Sequence, residues 1–228
     1  MKFNKMKFNK FLSILTTSAL FFGMVYFASI PFFKESSVAK AAAVAEVPKD
    51  SLVLTPAQIQ LNETKQELIS EVDKYIKRVA PRSRMTGKNL VERCDEYGVD
   101  IRLALVQGHM ESHFATAGTA ARTNSAFNVG AFDGHSAKTQ IRNGYGFSHP
   151  DQSVEPYLKL LKKRYLVNGK TEQDLLRNFV SRGGYRYASY RGYETALRSQ
   201  WKAIDKTKLT KVYIDYKNQK TKLNGGVG

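Results

Sequence analysis

The stretch GVDIRLALVQGHMESHFATAGTAARTNSAFNVGAFD, residues 98–133, contains the signals that decide the fold. Gly98 is a good C-terminal cap for one helix, and Asp100 is a good N-terminal cap for the next, which we predict over residues 101–114. One face of this helix forms an apolar stripe made of Leu103, Val106, Gln107, Met110 and Phe114. Residues 115–150 are rich in Gly, Asn, Ser and His and have no helical period, so we expect turns and a short β-hairpin that walls a cleft.

Glu111 lies at the border of that apolar stripe, near the C-terminal end of the predicted helix. Partial removal from water raises the pKa of a carboxyl group, so that it can hold a proton near neutral pH. A general acid requires this property, which makes Glu111 the candidate. Its position alone does not separate this reading from an ordinary border glutamate that contacts solvent or a lysine.

Other catalytic and metal motifs receive little support. His109 and His113 share a helix face, but Glu111 points away from both, and the order differs from the His-Glu-x-x-His pattern of zinc enzymes. The chain has no Cys-x-x-Cys, no Gly-x-Ser-x-Gly and no phosphate-binding loop. Cys94, the only cysteine, falls at an apolar helical position and is predicted to be a buried structural thiol. We therefore expect no metal and no cofactor.

The remaining pattern predicts a mainly helical chain. Pro56 fits the first turn of a helix that Pro81 ends, and Gly98 ends a second helix. The predicted helices, besides 101–114, are 56–79, 87–97, 153–165, 171–181 and 193–204. The segment 206–228 is a basic tail in which KVYIDYK has the composition of a strand.

The N-terminus resembles an export segment. Four lysines in residues 1–10 precede an apolar run over residues 11–33, and Ala-Lys-Ala at 39–41 fits a signal cleavage site. The run is longer than the usual signal core, so an uncleaved membrane anchor stays open, as does a buried core helix. A cleaved signal or an anchor would place the rest of the chain outside the cytoplasm.

The charge indicates an anionic partner. The 228 residues carry 36 Lys and Arg against 20 Asp and Glu, and the charged and aromatic fractions, 25% and 11%, exclude wholesale disorder. Residues 1–41 contribute +5 of the net +16, so +11 lies beyond them. Charge alone does not choose among nucleic acid, anionic lipid and an anionic wall polymer.

A tyrosine-rich cluster follows the Gly-Gly pair at 183–184. In the segment GGYRYASYRGYETAL, residues 183–197, tyrosines alternate with arginines. Tyrosine rings stack on sugars, and the same mixture of residues binds single-stranded nucleic acid. Ordinary packing explains such a cluster equally well.

Three stretches of the chain, residues 98–133 with two motifs, 153–157 and 187–197, resemble in this order the bacterial and phage N-acetylglucosaminidases of glycoside hydrolase family 73. The pairs Val106-Gln107 and Glu111-Ser112 are similar to the family's Ala-Gln-x-x-x-Glu-Ser helix, and Phe127-Asn128-Val129-Gly130 is similar to its Asn-x-Phe-Gly-Ile turn. Ser153-Val154-x-x-Tyr157 resembles a Ser-Ile-x-x-Tyr helix start. YASYRGYETAL, residues 187–197, resembles Tyr-Ala-Thr-Asp-Pro-x-Tyr, with Tyr187 and Tyr193 in the two tyrosine places.

The resemblance covers residues 72–204 and implies a lysozyme-like fold: mainly α (α+β), with a helical lobe, a small β-hairpin lobe and a glycan cleft between them. The chain would then divide into a signal peptide or membrane anchor at 1–41 and a tether with the start of a helix at 42–71. A glucosaminidase domain would follow at 72–205, and then the basic tail at 206–228.

The resemblance also implies residue roles. Glu111 would protonate the leaving oxygen, and Tyr187 would position water or stabilise the oxocarbenium-like charge. Gln107, Phe127, Asn128 and Tyr193 would bind the sugars. Tyr190-Arg191 replaces the family's Asp-Pro pair, and no Glu lies between 112 and 154, so Asp133 is the candidate second carboxylate. Without one, the 2-acetamido group of the substrate can act as nucleophile, which leaves the stereochemistry open.

These observations predict an exported peptidoglycan hydrolase, periplasmic or at the cell surface, that cleaves the β-1,4 bond after N-acetylglucosamine. Its partners would be glycan strands and anionic wall polymers, with membrane anchoring through 11–33 as an option and no nucleic acid. The alternatives are a muramidase or lytic transglycosylase on the same fold, and a non-catalytic wall-binding or virion module. The source can be a bacterium or its phage.

Overall fold

The structure is a computed structural model that describes residues 54–131 and 136–225, and its regular elements are helices. They are α1 (Pro56–Val79), α2 (Gly87–Tyr97), α3 (Ile101–Ser112), α4 (Ala120–Thr123), α5 (Ala137–Gln140), α6 (Val154–Leu160), α7 (Glu172–Arg177), α8 (Tyr193–Asp205) and α9 (Lys208–Gly225). A 3₁₀ turn, Pro150–Ser153, precedes α6, and π-helical turns extend α5 over Ile141–Tyr145 and α6 over Leu161–Tyr165. Ser51–Gly228 forms one compact unit.

Capping residues set the first three helices where the sequence predicts them. The Thr55 hydroxyl accepts a hydrogen bond from the backbone of Gln58, whose side chain accepts one from Thr55 in return, and this capping box fixes the start of α1. Gly98 ends α2 in the left-handed conformation, with φ 59°. Asp100 accepts from the backbone of Arg102 and begins α3. The predicted bounds of α1 and α2 are confirmed.

Helix α3 is the centre of the core. It packs between α2 and α8 and also contacts α1. Leu103, Leu105 and Val106 are fully buried although they point in different directions around the helix axis. A helix that is apolar around most of its circumference is buried in this way. The helix ends two residues earlier than predicted because the chain leaves the helical conformation at His113.

The long helices α1 and α9 pack against each other and close one side of the core. Leu209, Val212 and Tyr216 of α9 are buried, and the Tyr216 hydroxyl and the Lys220 ammonium both donate to Asp95 of α2, at 3.0 and 2.6 Å. The expectation of a strand at KVYIDYK was wrong, because these residues lie within α9. Val212 and Tyr216 are buried at helical spacing, whereas Ile214, which would share their face in a strand, is exposed.

The expected β-hairpin lobe is not seen in the described ranges 115–131 and 136–150. Over residues 115–131 and 136–150 the chain forms α4, α5 and turns, and the described part of the molecule contains no strand, only an isolated bridge between Val180 and Arg186. Partly buried hydrogen bonds between separate segments take the place of a sheet ladder in this region. The Asn124 side chain donates to Phe147 O at 2.7 Å, and Phe147 N donates to Thr123 O at 2.8 Å. The prediction of a mainly α fold is therefore confirmed, whereas the prediction of a β-hairpin lobe is not met in the described residues.

Two expectations concern residues that lie outside the described ranges. The signal or anchor at 1–41 is one, and the candidate carboxylate Asp133 is the other. Among the helices that the structure does describe, none is both long enough and apolar enough to cross a bilayer. Cys94 is buried against the core as predicted, and burial raises the pKa of its thiol.

Candidate active site

Glu111 is half-buried in the last turn of α3, and both of its carboxylate oxygens accept hydrogen bonds. The Tyr193 hydroxyl donates to Oε1 at 2.7 Å, and Asn128 Nδ2 donates to Oε2 at 3.1 Å. The same Asn128 nitrogen lies 2.8 Å from the Glu111 backbone oxygen. Two neutral donors from distant segments therefore hold the carboxylate in one orientation.

Burial raises the pKa of Glu111, and the hydrogen bonds from Tyr193 and Asn128 oppose that rise. No charged side chain contributes to the shift among the described residues. The pKa of this carboxyl thus reflects the balance between desolvation, which raises it, and hydrogen bonding, which lowers it. No ion pair with a described residue takes part. Such a group holds a proton at a higher pH than an exposed glutamate does.

A left-handed turn directly follows the Glu111-Ser112 pair. His113, Phe114 and Ala115 have φ values of 48°, 52° and 64°. Each such non-glycine residue costs about 1 kcal/mol or more, so neighbouring contacts must hold the turn. The Ser112 hydroxyl bridges Ala115 N and Ala126 O, both at 2.7 Å, and the fully buried ring of Phe114 packs in the core. The turn brings the segment that carries Asn128 alongside the end of α3.

Asn128 stands in a tight turn that presents its amide to Glu111. Its φ is 51°, a conformation that asparagine tolerates better than most residues. Its N–H donates to Ser125 O at 3.1 Å, and its own carbonyl accepts from Ala131 N at 2.9 Å. The side chain stays partly exposed, so a bound molecule could also reach it.

Tyr193, the first residue of α8, brings the second donor to Glu111. The loop before α8 is fixed by Glu194, whose carboxylate accepts from Phe179 N at 3.1 Å and pairs with Arg186 at 2.6 Å. Tyr187 N donates to Phe179 O at 3.0 Å, which places the Tyr187 ring 5.9 Å from the Tyr193 ring in a stacked arrangement. The ion pair thus holds both tyrosines beside α3.

The structure separates the two tyrosines that the sequence places in the site. The Tyr193 hydroxyl donates to Glu111, whereas the Tyr187 hydroxyl donates to Phe127 O at 2.9 Å. Tyr187 therefore lies next to the glutamate without a direct hydrogen bond to it. Burial raises the pKa of both phenols well above the ordinary value, so both remain protonated donors.

Three of the four predicted sugar-binding residues, Gln107, Phe127 and Tyr193, are buried, and the first two are fully so. Gln107 is fully buried, and its amide bonds to Tyr193 and Tyr157. The Phe127 ring is also fully buried and stacks on Tyr157, with centroids 3.9 Å apart and planes 7° apart. Neither side chain meets solvent, so each supports the site from behind. Among the described residues of the predicted site, Glu111, Asn128 and Tyr187 combine polar contact with partial access to solvent.

Tyr157 is the residue that sequence reasoning left out of the site. The sequence marks it only as the last residue of a helix-start motif, in an apolar helical pattern. Its hydroxyl lies 2.5 Å from Gln107 Oε1, across 50 positions of the chain. The available signal was a tyrosine at a position where a phenylalanine would pack as well, because a buried hydroxyl needs a partner.

The histidine pair packs away from the glutamate. His109 Nδ1 lies 3.3 Å from the Tyr75 hydroxyl, and its ring meets that of His113 edge-on at 5.0 Å. Burial, together with the neighbouring His113 and Arg78, lowers the pKa of His109. In the described ranges, no group of three His, Cys, Asp or Glu side chains is placed to hold a metal ion.

Comparison of the chain with protein-family models finds no match, and neither the curated proteins nor the solved structures contain a match to it. The candidate site therefore stands on the geometry of its own residues and on the motifs in the sequence.

Proposed function

We propose that the chain is a glycoside hydrolase that cleaves the β-1,4 bond of peptidoglycan after N-acetylglucosamine. The observation that supports this most is the environment of Glu111, a half-buried carboxyl at a helix end with a pKa raised by burial. A general acid for glycoside cleavage needs this combination of retained proton and solvent access. The family resemblance on residues 98–133 and 187–197 supplies the substrate class.

In this proposal Glu111 protonates the leaving oxygen while its orientation is held by Tyr193 and Asn128. Asn128 lines the sugar site, and Tyr187, which lies beside the glutamate, positions water or stabilises the developing positive charge. Gln107 and Phe127 act from the core rather than by contact with sugar. The fold would be lysozyme-like, with the segment of α4 and α5 as the wall opposite α8 in place of a β-hairpin.

A covalent glycosyl-enzyme intermediate, or inversion by a base-activated water, would need a second carboxylate at a suitable distance. Asp133 remains the proposed residue, and it lies outside the described ranges. The substrate's own 2-acetamido group can replace it as nucleophile, in which case Asp133→Asn keeps activity. Export through residues 1–41 and retention on anionic wall polymers complete the proposal.

Digestion of purified peptidoglycan tests the proposal, with mass spectrometry of the new chain ends. A new reducing N-acetylglucosamine supports it; a new reducing muramic acid indicates a muramidase, and an anhydro end a lytic transglycosylase. Glu111→Gln should lose activity by ~10²–10⁴-fold. Glu92→Gln, an exposed glutamate on α2, is the matched control. Wall binding without any cleavage by the wild type would instead indicate a non-catalytic module.

A further inference from the structure

A single chain of hydrogen bonds runs from the core to Glu111. The Tyr157 hydroxyl donates to Gln107 Oε1 at 2.5 Å, Gln107 Nε2 donates to the Tyr193 oxygen at 2.9 Å, and the Tyr193 hydroxyl donates to Glu111 Oε1 at 2.7 Å. Tyr157 and Gln107 are fully buried, and Tyr193 is nearly so. Every bond points its hydrogen toward the carboxylate, which is the only acidic group in the chain of four side chains.

The same four side chains have a second self-consistent order, in which every bond is reversed. The Gln107 amide would be rotated, so that it donates to Tyr157 and accepts from Tyr193. Tyr193 would then accept a hydrogen bond from protonated Glu111 instead of donating one. The proton of Glu111 would then be held in a hydrogen bond to the Tyr193 oxygen. When Glu111 is ionised, its carboxylate would lack the hydrogen bond from Tyr193.

Tyr157 selects between the two orders. In the reversed order its own hydroxyl proton would have to leave Gln107, the acceptor that the described residues give it. A buried donor without an acceptor costs about 1–3 kcal/mol, so the observed order is favoured. The stacked contact of Tyr157 with Phe127 and its fully buried position keep the ring from turning away.

We propose that Gln107 and Tyr157 are positioning residues, which hold Tyr193 as a hydrogen-bond donor to Glu111 and thereby keep the acidic proton of Glu111 free for the substrate. Only the statement that the proton is kept free for the substrate rests on the proposed function. The relay itself is a property of this chain's own residues and can be observed without a substrate.

Among the described residues, few groups face Glu111. Tyr193 faces it from α8, Tyr187 from the preceding loop and Asn128 from the turn after α3. Tyr157, on α6, lies farther away, on the other side of Gln107. The phenols remain protonated because burial raises the pKa of each. No charged side chain of the described residues shifts the pKa of Glu111, so its titration reports the relay.

The test uses the purified full-length chain and the Tyr157→Phe variant. Tyr157→Phe removes one hydroxyl and keeps the stacked ring, so the fold should survive. Without that hydroxyl, either orientation of the Gln107 amide leaves one polar end without a partner, and the preference is lost. Tyr216→Phe is the matched control, because it removes a hydroxyl that donates to Asp95 instead. Gln107→Met, which removes the middle of the relay, is the second variant.

Two readouts separate a positioning role from mere destabilisation. The first is the carboxyl ¹³C titration of Glu111, assigned by its absence in Glu111→Gln. Tyr157→Phe and Gln107→Met should raise the pKa of Glu111, because the protonated acid can now donate to Tyr193. Neither substitution should raise the pKa of Glu111 further when it is combined with Tyr193→Phe, because both act through the Tyr193 hydroxyl. Tyr216→Phe should leave the titration unchanged.

The second readout is the pH profile of turnover on soluble peptidoglycan fragments. Tyr157→Phe should lower kcat about tenfold or more, because a misplacement of ~1 Å can cost ~10²-fold. The alkaline limb should move to higher pH, since it reports the pKa of the acid. A loss of stability alone would lower kcat without moving the limb.

An unchanged Glu111 titration in Tyr157→Phe and Gln107→Met, or an equal shift with and without the Tyr193 hydroxyl, would overturn the inference. The proposed function fails separately. A protein without wall activity whose Glu111 titration responds as described has the relay but not the reaction, whereas an active protein whose titration is unresponsive has the reaction without the relay.

Discussion

At the scale of single residues, the carboxylate of Glu111 opposes folding at neutral pH. Burial raises its pKa above the ordinary 4.5, so the native state binds this proton more tightly than the unfolded chain does. The free energy of unfolding therefore falls as the pH rises from the ordinary value through the raised one. We expect Glu111→Gln, which does not titrate, to gain stability relative to the wild type across that window.

Chemical denaturation at a series of pH values measures this difference. A constant offset between Glu111→Gln and the wild type is expected from the new amide facing Asn128, but only the pH-dependent part reports the titration. Glu92→Gln on the exposed face of α2 gives the baseline. A difference that stays flat over the whole range would show that the carboxyl is not perturbed.

Tyrosine-to-phenylalanine changes distinguish the two tyrosines beside Glu111. We expect Tyr193→Phe to raise the pKa of Glu111, because it removes a hydrogen bond that stabilises the carboxylate. Tyr187→Phe should leave that pKa nearly unchanged and still lower turnover by ~10²-fold, if its hydroxyl leaves Phe127 O to serve the reaction. Steady-state kinetics and ¹³C titration check the two effects separately.

Tyr185→Phe is the control for this pair, since that ring is 74% exposed and lies outside the site. An inactive Tyr185→Phe together with an active Tyr187→Phe would mean that the family segment is aligned out of register by two residues. If neither substitution inactivates the protein, Tyr193 is the tyrosine of this segment on which activity depends.

At the scale of elements, α3 depends on the absence of a side chain at Gly108. A Cβ there would stand 2.7 Å from Phe114 Cε1 and 3.3 Å from Phe127 Cε1. Gly108→Ala improves helix propensity by about 1 kcal/mol, but overpacking a dense core costs about 1–3 kcal/mol. We expect net destabilisation with an end of α3 displaced near Glu111, measured by urea unfolding and by turnover.

A second change in the same contact tests the cause of that effect. Gly108→Ala combined with Phe114→Leu should be less destabilised than the sum of the two single variants, because the smaller side chain accepts the new methyl group. Simple additivity would place the cost of Gly108→Ala somewhere other than the Phe114 ring.

Helix α9 is expected to be required for stability, although its sequence has the composition of a basic tail. Tyr216 is 4% exposed, and its hydroxyl donates to Asp95, so Tyr216→Ala should cost about 3 kcal/mol or more in the free energy of unfolding. Lys217→Ala, its exposed neighbour, should cost little. Equal unfolding midpoints for these two variants would contradict an integral role of α9.

At the scale of the whole molecule, the net charge of +11 carried beyond residue 41 should govern retention on anionic walls. The screening length falls from ~10 Å at 0.1 M salt to ~3 Å at 1 M, so exposed lysines and arginines lose most of their attraction. We expect wall binding in a sedimentation assay to weaken strongly between these two salt concentrations. Equal retention at both would assign binding to contacts other than charge.

The sequence alone predicts the parts of the fold that depend on local chemistry. Pro56 and Pro81 limit α1 through their fixed φ and missing N–H, while Gly98 and Asp100 cap helix ends through bonds within one turn. The bounds of α1 and α2 and the start of α3 follow from them. The burial of Cys94 and the border position of Glu111 follow from helical spacing in the same way. These predictions needed no knowledge of the neighbouring helices.

The secondary structure of the segments 115–150 and 206–228 is harder to predict from the sequence, because their local signals are ambiguous. KVYIDYK is rich in β-branched and aromatic residues, as a strand is, yet Leu209, Val212 and Tyr216 also fit one face of a helix. Packing against α1 decides in favour of the helix. In the glycine-rich segment, hydrogen bonds such as Phe147 N to Thr123 O connect loops instead of building a ladder.

The sequence by itself determined the boundaries of α1 and α2, the burial of the Cys94 thiol and the choice of Glu111 as the candidate acid. Only the tertiary structure decided what touches that acid. Tyr193 lies 82 positions from Glu111, and Gln107 lies 50 positions from Tyr157. Such pairings depend on how α6 and α8 pack against α3, and no periodicity along the chain encodes a hydrogen bond between side chains that distant helices bring together.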